Sequence, residues 1–433
     1  MTESANRPTV LLLERAPADV WSVFVSTRPI ATLRWGAFTL GNRVVDAAVG
    51  TAGGVVATPG LEGFDEEGSL HPVPLPALAG EGGLLLWDST APPTGPIPTS
   101  QAGVPTTFII QGRIAGRYFP AGTPVGELGV AGIGEDAAEP TDRPDELRQQ
   151  IEGLWLEAPW HLVATSSDQL ARDLEAMAAP DTLREGYSAL APREGVHLQG
   201  PWPVLIGAHV EIGPGVVFDT REGPILLDRG VRVEGPARLT GPLHLDEHTL
   251  VFGGSIGRSS IGPWCKLRGE VSESVLLGWS NKAHDGHLGH ALLGRWVNLG
   301  AGTTNSDLRN DYGPVTVKLP GSAPQPTGLT KVGCLLGDHV KTGIGTLLNT
   351  GAVVGAGCQI AGGGLAPTPL SPFTWATSEG SSLYRWDRFE STARTVMARR
   401  DRTLTSGVAT VLERVHQNAA RDQPHQPAPE PTP

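Results

Sequence analysis

From about residue 195 the apolar positions of the chain fall into a beat of six. Leu227, Val233, Leu239, Leu245 and Val251 recur every six residues, and Ile225, Val231, Ala237, Leu243 and Thr249 sit two places before them. Ile206, Ile212 and Phe218 carry the beat upstream; Leu348, Val354 and Ile360, preceded by Thr346, Ala352 and Cys358, carry it downstream. A strand alternates faces with period two. Two inward residues followed by a turn, repeated every hexad, suit neither a helix bundle nor a sandwich. They predict a parallel β-helix, a three-sided solenoid whose coils stack on one another. The blocks are out of phase, so interruptions are expected near 219–226 and 305–331. The longer, Asn305–Lys331, holds Pro314, Pro320, Pro324 and Pro326 and predicts an excursion from the solenoid.

Elsewhere the texture differs. Val10–Leu13, Val20–Val25, Gly83–Trp87 and Thr107–Ile110 are short apolar runs between turns and read as strands of an α/β domain. Ala138–Pro144 reads as a boundary loop. Asp145 is placed to cap a helix running through Ile151, and Ser166-Ser167-Asp168 precedes a helical face of Leu170, Leu174 and Met177. Past Ser371 the hexads stop, and Tyr384–Arg402 and Leu404–Gln417 look helical. Asp422–Pro433, with five prolines, reads as a disordered tail. The expected organisation is an α/β domain over 1–190, a β-helix over 195–370, short α-helices over 371–420 and a tail over 421–433.

Composition sharpens this picture. The 433 residues include 57 glycines and 38 prolines, about a fifth of the chain against a norm near 12%. No Gly-X-Y period accompanies them, so collagen is excluded, and solenoid corners account for the excess. Net charge is −12, which speaks against a nucleic-acid partner. The basic cluster Arg399, Arg400 and Arg402 reads as a solvated face. No apolar run approaches the ~18 residues of a membrane span, and Met1–Arg15 lacks the basic start of a signal peptide. The three cysteines, Cys265, Cys334 and Cys358, form no CxxC pair. Together these point to a cytoplasmic protein with no membrane partner.

The densest polar stretch of the solenoid runs Ser280-Asn281-Lys282-Ala283-His284-Asp285-Gly286-His287-Leu288-Gly289-His290, then Trp296 to Asp307. Four readings compete. A histidine, with an ordinary pKa near 6.5, is suited to general-base work at neutral pH. Asp285, Asn298 and Asn305 would then orient substrate or imidazole, and Gly300 and Gly302 would let a thin ligand approach the backbone. A metal site built on His284, His287 and His290 is the second reading. Within one chain it is disfavoured, because residues six apart lie on neighbouring solenoid faces; histidines shared between subunits would give a metalloenzyme of the carbonic-anhydrase kind. The third is a polar ladder without chemistry, a scaffold that binds nucleotide sugars or proteins. The fourth places a separate activity in the first domain, where Arg28 and Arg34 in Thr27-Arg28-Pro29-Ile30-Ala31-Thr32-Leu33-Arg34 are candidates to hold a phosphate or to serve as domain-interface residues.

The hexads, Lys282–His284 followed by Asn298-Leu299-Gly300-Ala301-Gly302-Thr303, and the excursion resemble the acetyltransferase half of bifunctional bacterial enzymes that make UDP-N-acetylglucosamine. Thr27–Ala31, Pro159-Trp160 and Thr395–Arg400 make the closer resemblance to an alternate branch of that family, the diphosphorylase/glucosamine-1-phosphate N-acetyltransferases. The resemblance implies a left-handed β-helix, a homotrimer, and acetyl-CoA bound between solenoids against Gly300, Ala301, Gly302 and Thr303. It makes His284 the catalytic base toward glucosamine 1-phosphate, with Lys282, His287, Asn298 and Asn305 near the substrate. It also implies UMP transfer from UTP, with Mg2+, by the first domain. This chain departs from the family in three places. His287 replaces a tyrosine, Ser272-Glu273 stand where a phosphate-binding lysine is usual, and no glycine-rich phosphate loop follows Val10–Leu13.

Overall fold

A computed structural model describes residues 7–15, 19–56, 58–99, 103–137, 146–179 and 186–422. The boundary loop Ala138–Pro144, the cap Asp145 and the tail beyond Asp422 lie outside these residues.

The N-terminal domain is built on a six-stranded mixed sheet in the order Thr51–Val56, Thr9–Leu13, Leu84–Asp88, Arg113–Phe119, Thr106–Ile110, Leu147–Gln150. Thr9–Leu13 runs parallel to both its neighbours. Val10–Leu13 is an unbroken buried run, as a parallel strand covered on both faces requires. Thr106–Ile110 and Arg113–Phe119 form a hairpin across Gln111-Gly112, both at positive φ, the geometry that matches strand twist in a two-residue loop. Two sequence expectations give way. Ser22–Val25 is one helical turn rather than part of a strand. Leu147–Gln150 is a strand rather than a helix, pairing with Thr106–Ile110; an open sheet edge outweighs the helix propensity of Leu, Arg and Gln. The next helix starts earlier than Ser166 implied, at Pro159, with proline in its first turn, and runs to Ala178.

The solenoid has three faces of parallel strands, the second opened by the antiparallel Ser188–Ala189. The first stacks Val196–Gln199, Val216–Asp219, Ala237–Thr240, Gly254–Gly257, Glu270–Ser272 and His287–Gly289. The second is a nine-stranded sheet running from Ser188–Ala189 to Val353–Val354. The third carries Glu211–Ile212, Arg232–Val233, Leu250–Val251, Lys266–Leu267 and Asn281–Lys282. It resumes with Lys341–Thr342 and Gln359–Ile360 and ends in the hairpin Thr374–Thr377/Gly380–Leu383. The beat-of-six residues Leu227, Val233, Leu239, Leu245 and Val251 all face the interior. Between Leu245 and Leu293 the beat is lost in sequence but kept in space. Leu245, Ile261, Leu276 and Leu293 occupy one interior column while the corners shorten each coil to between 15 and 17 residues.

The chain leaves the solenoid after Asn305 and returns at Leu335. The excursion folds into a short hairpin, Thr316–Val317 against Gln325–Pro326. Its Val315, Val317 and Leu319 form one core with Trp21, Phe24 and Trp35 of the N-terminal domain and with Val275, Leu277, Leu292 and Leu335 on the outer side of the second face. That face is therefore buried on both sides. The helices Trp386–Ala398 and Ser406–Asp422 cover the corner between the second and third faces.

Candidate functional site

The corner between the third and first faces carries His284. It follows the strand Asn281–Lys282 and precedes His287–Gly289. The coil beyond places Ala301 and Gly302 beside it, tied by Gly302 N–H donating to the Asp285 carbonyl at 3.2 Å. Together with Glu234, Phe252, Arg268, Ala283, Asp285 and Gly286 they line an open groove of about 770 Å³. His284 and Asp285 are exposed to it, and Arg268 Nε pairs with Asp285 at 3.1 Å. Gly286, at φ 131°, packs so closely on the next coil that a Cβ would lie 2.3 Å from the Thr303 carbonyl oxygen. Glycine is needed there for both conformation and approach.

The other residues singled out from sequence part company. Gly300 and Thr303 shape the floor from beneath: Gly300 N–H and the Thr303 hydroxyl both bond the Thr342 hydroxyl, at 3.0 and 2.8 Å, and Thr303 is buried. Lys282 is turned inward, away from the groove, and its ammonium donates to the carbonyls of Arg268 and His284. Burial lowers its pKa to about 8, against a smaller opposing pull from Asp285. Asn298 lies on the third face and accepts from the Asn281 amide at 3.0 Å, whose oxygen in turn receives Arg400 at 2.6 Å. Asn305 is buried and spans two coils through the N–H and carbonyl of Gly289, both at 2.9 Å.

His287 opens a second polar group on the first face. Its Nδ1 lies 3.4 Å from Glu270 and its Nε2 4.0 Å from Asp307. His290 bonds Asp307 at 2.7 Å, which holds the Asp307 carboxyl below its ordinary range. A Cβ on Gly289 would lie 2.5 Å from His287 Nε2 and 2.7 Å from Asp307, so the missing side chain makes the slot in which imidazole and carboxylate meet. Sequence reading passed over Arg268 and the His290–Asp307 pair; the i, i+17 spacing of the latter is one coil and was the available signal.

Arg28 and Arg34 lie at the domain junction. Arg28 is buried and pairs with Asp338 and Glu66, each at 2.9 Å. Arg34 reaches Asp246 at 2.7 Å and His244 Nδ1 at 2.9 Å. Among the described residues, the group able to share a metal ion is Asp228, His244 and Asp246, and the Arg34 guanidinium already occupies Asp246 and His244. At the carboxyl ends of the parallel strands, Glu14 accepts from the Ile30 and Ala31 N–H groups and from Ser89. Burial lifts its pKa to about 7. Asp88 ends the adjacent strand with one oxygen bound by Thr90. Mg2+ is commonly held by one or two carboxylates plus phosphate oxygens; Asp88 is the carboxylate at this strand end, 2% exposed, with burial raising its pKa. Arg400 and Arg402 are not a solvated face. Arg400 bonds the Trp264 carbonyl and Asn281, and Arg402 lies 4.9 Å over Trp279. No helix among the described residues is long and apolar enough to cross a membrane.

No family model matches the chain. It is similar to the "Bifunctional protein GlmU" of Acaryochloris marina, 28% identical over 192 residues, 39% of this chain and 38% of the relative. The GlmU of Synechococcus elongatus is 27% identical over 249 residues, 49% of this chain and 50% of the relative. The "Bifunctional sugar-1-phosphate nucleotidylyltransferase/acetyltransferase" of Sulfurisphaera tokodaii is 36% identical over 91 residues, 21% and 22% of the two chains. The chain thus spans between about a fifth and a half of these curated relatives' lengths, and is homologous to enzymes of this bifunctional type over those stretches.

Proposed function

We propose that the protein is a sugar-phosphate transferase whose solenoid transfers the acetyl group of acetyl-CoA to the amine of an amino-sugar 1-phosphate, of which glucosamine 1-phosphate is the first choice. The observation that carries the reading is His284, exposed on a corner whose floor, Ala301 and Gly302, is flat enough for a thin thioester-bearing chain. His284 takes a proton from the attacking nitrogen as that nitrogen bonds the thioester carbon. The C–S bond breaks, and the thiolate leaves to be protonated. Similarity to acetyltransferase-bearing relatives and the β-helix fold support this choice. A solenoid metalloenzyme with histidines shared between chains is less favoured, because the similar proteins are named as transferases.

The N-terminal domain is proposed to bind the nucleotide or nucleotide sugar at the carboxyl ends of its parallel strands, the usual ligand position in open α/β sheets. Uridylyl transfer from UTP to the acetylated sugar phosphate is the reaction proposed there. Mg2+, which neutralises phosphate charge, would be held by Asp88. Arg28 and Arg34 are spent on the solenoid and are not the phosphate ligands of this reading.

The test is His284→Ala, assayed by thiol release from acetyl-CoA with glucosamine 1-phosphate. Loss of a general base lowers kcat by ~10²–10⁴-fold; a rate equal to wild type removes His284 from the mechanism.

A further inference from the structure

Lys282 is out of place by every rule that builds the solenoid. Its side chain belongs to an interior column of the third face, in register with Ile212, Val233, Val251 and Leu267 on one side. Leu299 follows on the other side, where Leu299 N–H bonds the Asn281 carbonyl, and Thr342 and Ile360 come after it. Lys282 is the charged member of this column and is 2% exposed. Sinking an ammonium group into an apolar column costs stability unless it is well bonded. Apolar residues at the matching positions show that the fold has no need of it.

The ammonium goes to one place. It donates to the Arg268 carbonyl, one coil away, at 3.2 Å and to the carbonyl of His284 itself at 2.5 Å. The residues after His284 are held from outside the solenoid, Asp285 by Gly302 N–H and by Arg268; His284 itself is exposed, and the lysine holds its carbonyl from within. We propose that Lys282 is a positioning residue that pins the backbone of His284 to the preceding coil from inside the solenoid. The pin fixes where the imidazole stands relative to the Ala301–Gly302 floor. It acts through His284 and does not touch substrate. This inference rests on the catalytic reading of His284 for its consequence in turnover, but not for the pin itself.

The experiment compares Lys282→Met, of similar length and without a donor, with Lys282→Gln, which keeps N–H donors. Two quantities are read: hydrogen exchange of the 283–287 amides in the full chain, and kcat and KM for acetyl-CoA and glucosamine 1-phosphate. Lys282→Met is expected to speed exchange at the corner while the other coils stay protected. It should lower kcat by about 10–100-fold, as misplacement of a reacting group does, with both KM values within about two-fold. Lys282→Gln should fall between Met and wild type on both measures. Corner exchange in Lys282→Met equal to wild type overturns the proposal, as does a Gln variant no better than Met. Exchange tests the pin and wild-type turnover tests the catalytic reading, so the two fail separately.

Discussion

Buried Glu14 and half-buried Glu66 of the N-terminal domain have pKa values shifted in opposite directions because their neighbours differ. Burial alone would raise the Glu66 carboxyl, but Arg28 and Arg295 outweigh it and hold the pKa down to about 2. Glu66 therefore contributes stability that is present above about pH 4.5 and lost as pH falls toward 2. Glu14 faces no comparable cation, and burial raises it to about 7. Its contribution is present below about pH 4.5 and lost as pH rises through 7, by up to about 3 kcal/mol. Urea unfolding from pH 2 to 8 checks both signs. Glu14→Gln should flatten the decline between pH 4.5 and 7, and Glu66→Gln should flatten the decline below 4.5. A Glu14→Gln curve parallel to wild type across that window contradicts the assignment. Neither effect was legible in the sequence, where Glu14 looks like the polar end of a strand and Glu66 like loop. The Glu66 environment is made by Arg28 and Arg295, far apart in the chain, and that of Glu14 by Ile30, Ala31 and Ser89 folding around it.

Among elements, the corner between the second and third faces explains both a success and a failure of pattern reading. Trp264, Trp279 and Trp296 occupy it in successive coils, each at positive φ. Their rings stack, Trp264 on Trp279 at 5.2 Å and Trp279 on Trp296 at 4.9 Å. His248 and His339 extend the column at its two ends, and burial keeps His339 neutral with a pKa of about 3. The six-residue beat exposed the solenoid because strand interiors keep it. It hid the tryptophans because corners drop residues, so these recur at 15 and 17. The same shortening obscured Lys282: without hexads in that stretch, nothing in the sequence told an inward lysine from an outward one, and it was read as a substrate ligand. His284 was legible because its neighbours form a recognisable run. The column is also what the C-terminal helices grip, through Phe389, Met397, Leu404 and Leu412 and through Arg402 over Trp279. Trp279→Ala should cost about 3–5 kcal/mol. In hydrogen exchange it should release Trp386–Ala398 and Ser406–Asp422 first. A loss below 1 kcal/mol would mean the helices are held by something other than the ring stack.

At the scale of the molecule, coverage of the prism is uneven, and the unevenness says where a partner fits. The N-terminal domain and the excursion cover the second face, and the C-terminal helices close its corner with the third. The first face and the corner that carries His284 stay open, and the third is open except along the edge where Arg400 bonds Asn281. Their outward positions are mainly polar, with Arg238, Ser255, Glu270 and His287 on the first and Glu211, Arg232, Lys266 and Asn281 on the third; Val217, Leu250 and the exposed Leu347 and Leu365 interrupt them. One chain supplies one wall of the His284 groove. On the proposed acetyl-CoA reading another solenoid would supply a second wall, one copy's first face meeting the next copy's third. Such a contact joins unlike surfaces, so it must close into a ring to be finite. The resemblance to the hexapeptide acetyltransferases implies a ring of three, and that is the closure expected. Light scattering should accordingly return three times 45.4 kDa. Because charged residues line the contact, raised salt should weaken it. Reversing one charge, Arg232→Glu, should shift the mass toward the monomer and cost acetyl transfer with it, while leaving unfolding by urea within ~0.5 kcal/mol. A chain that is monomeric at assay concentration yet fully active would show that the groove works with one wall.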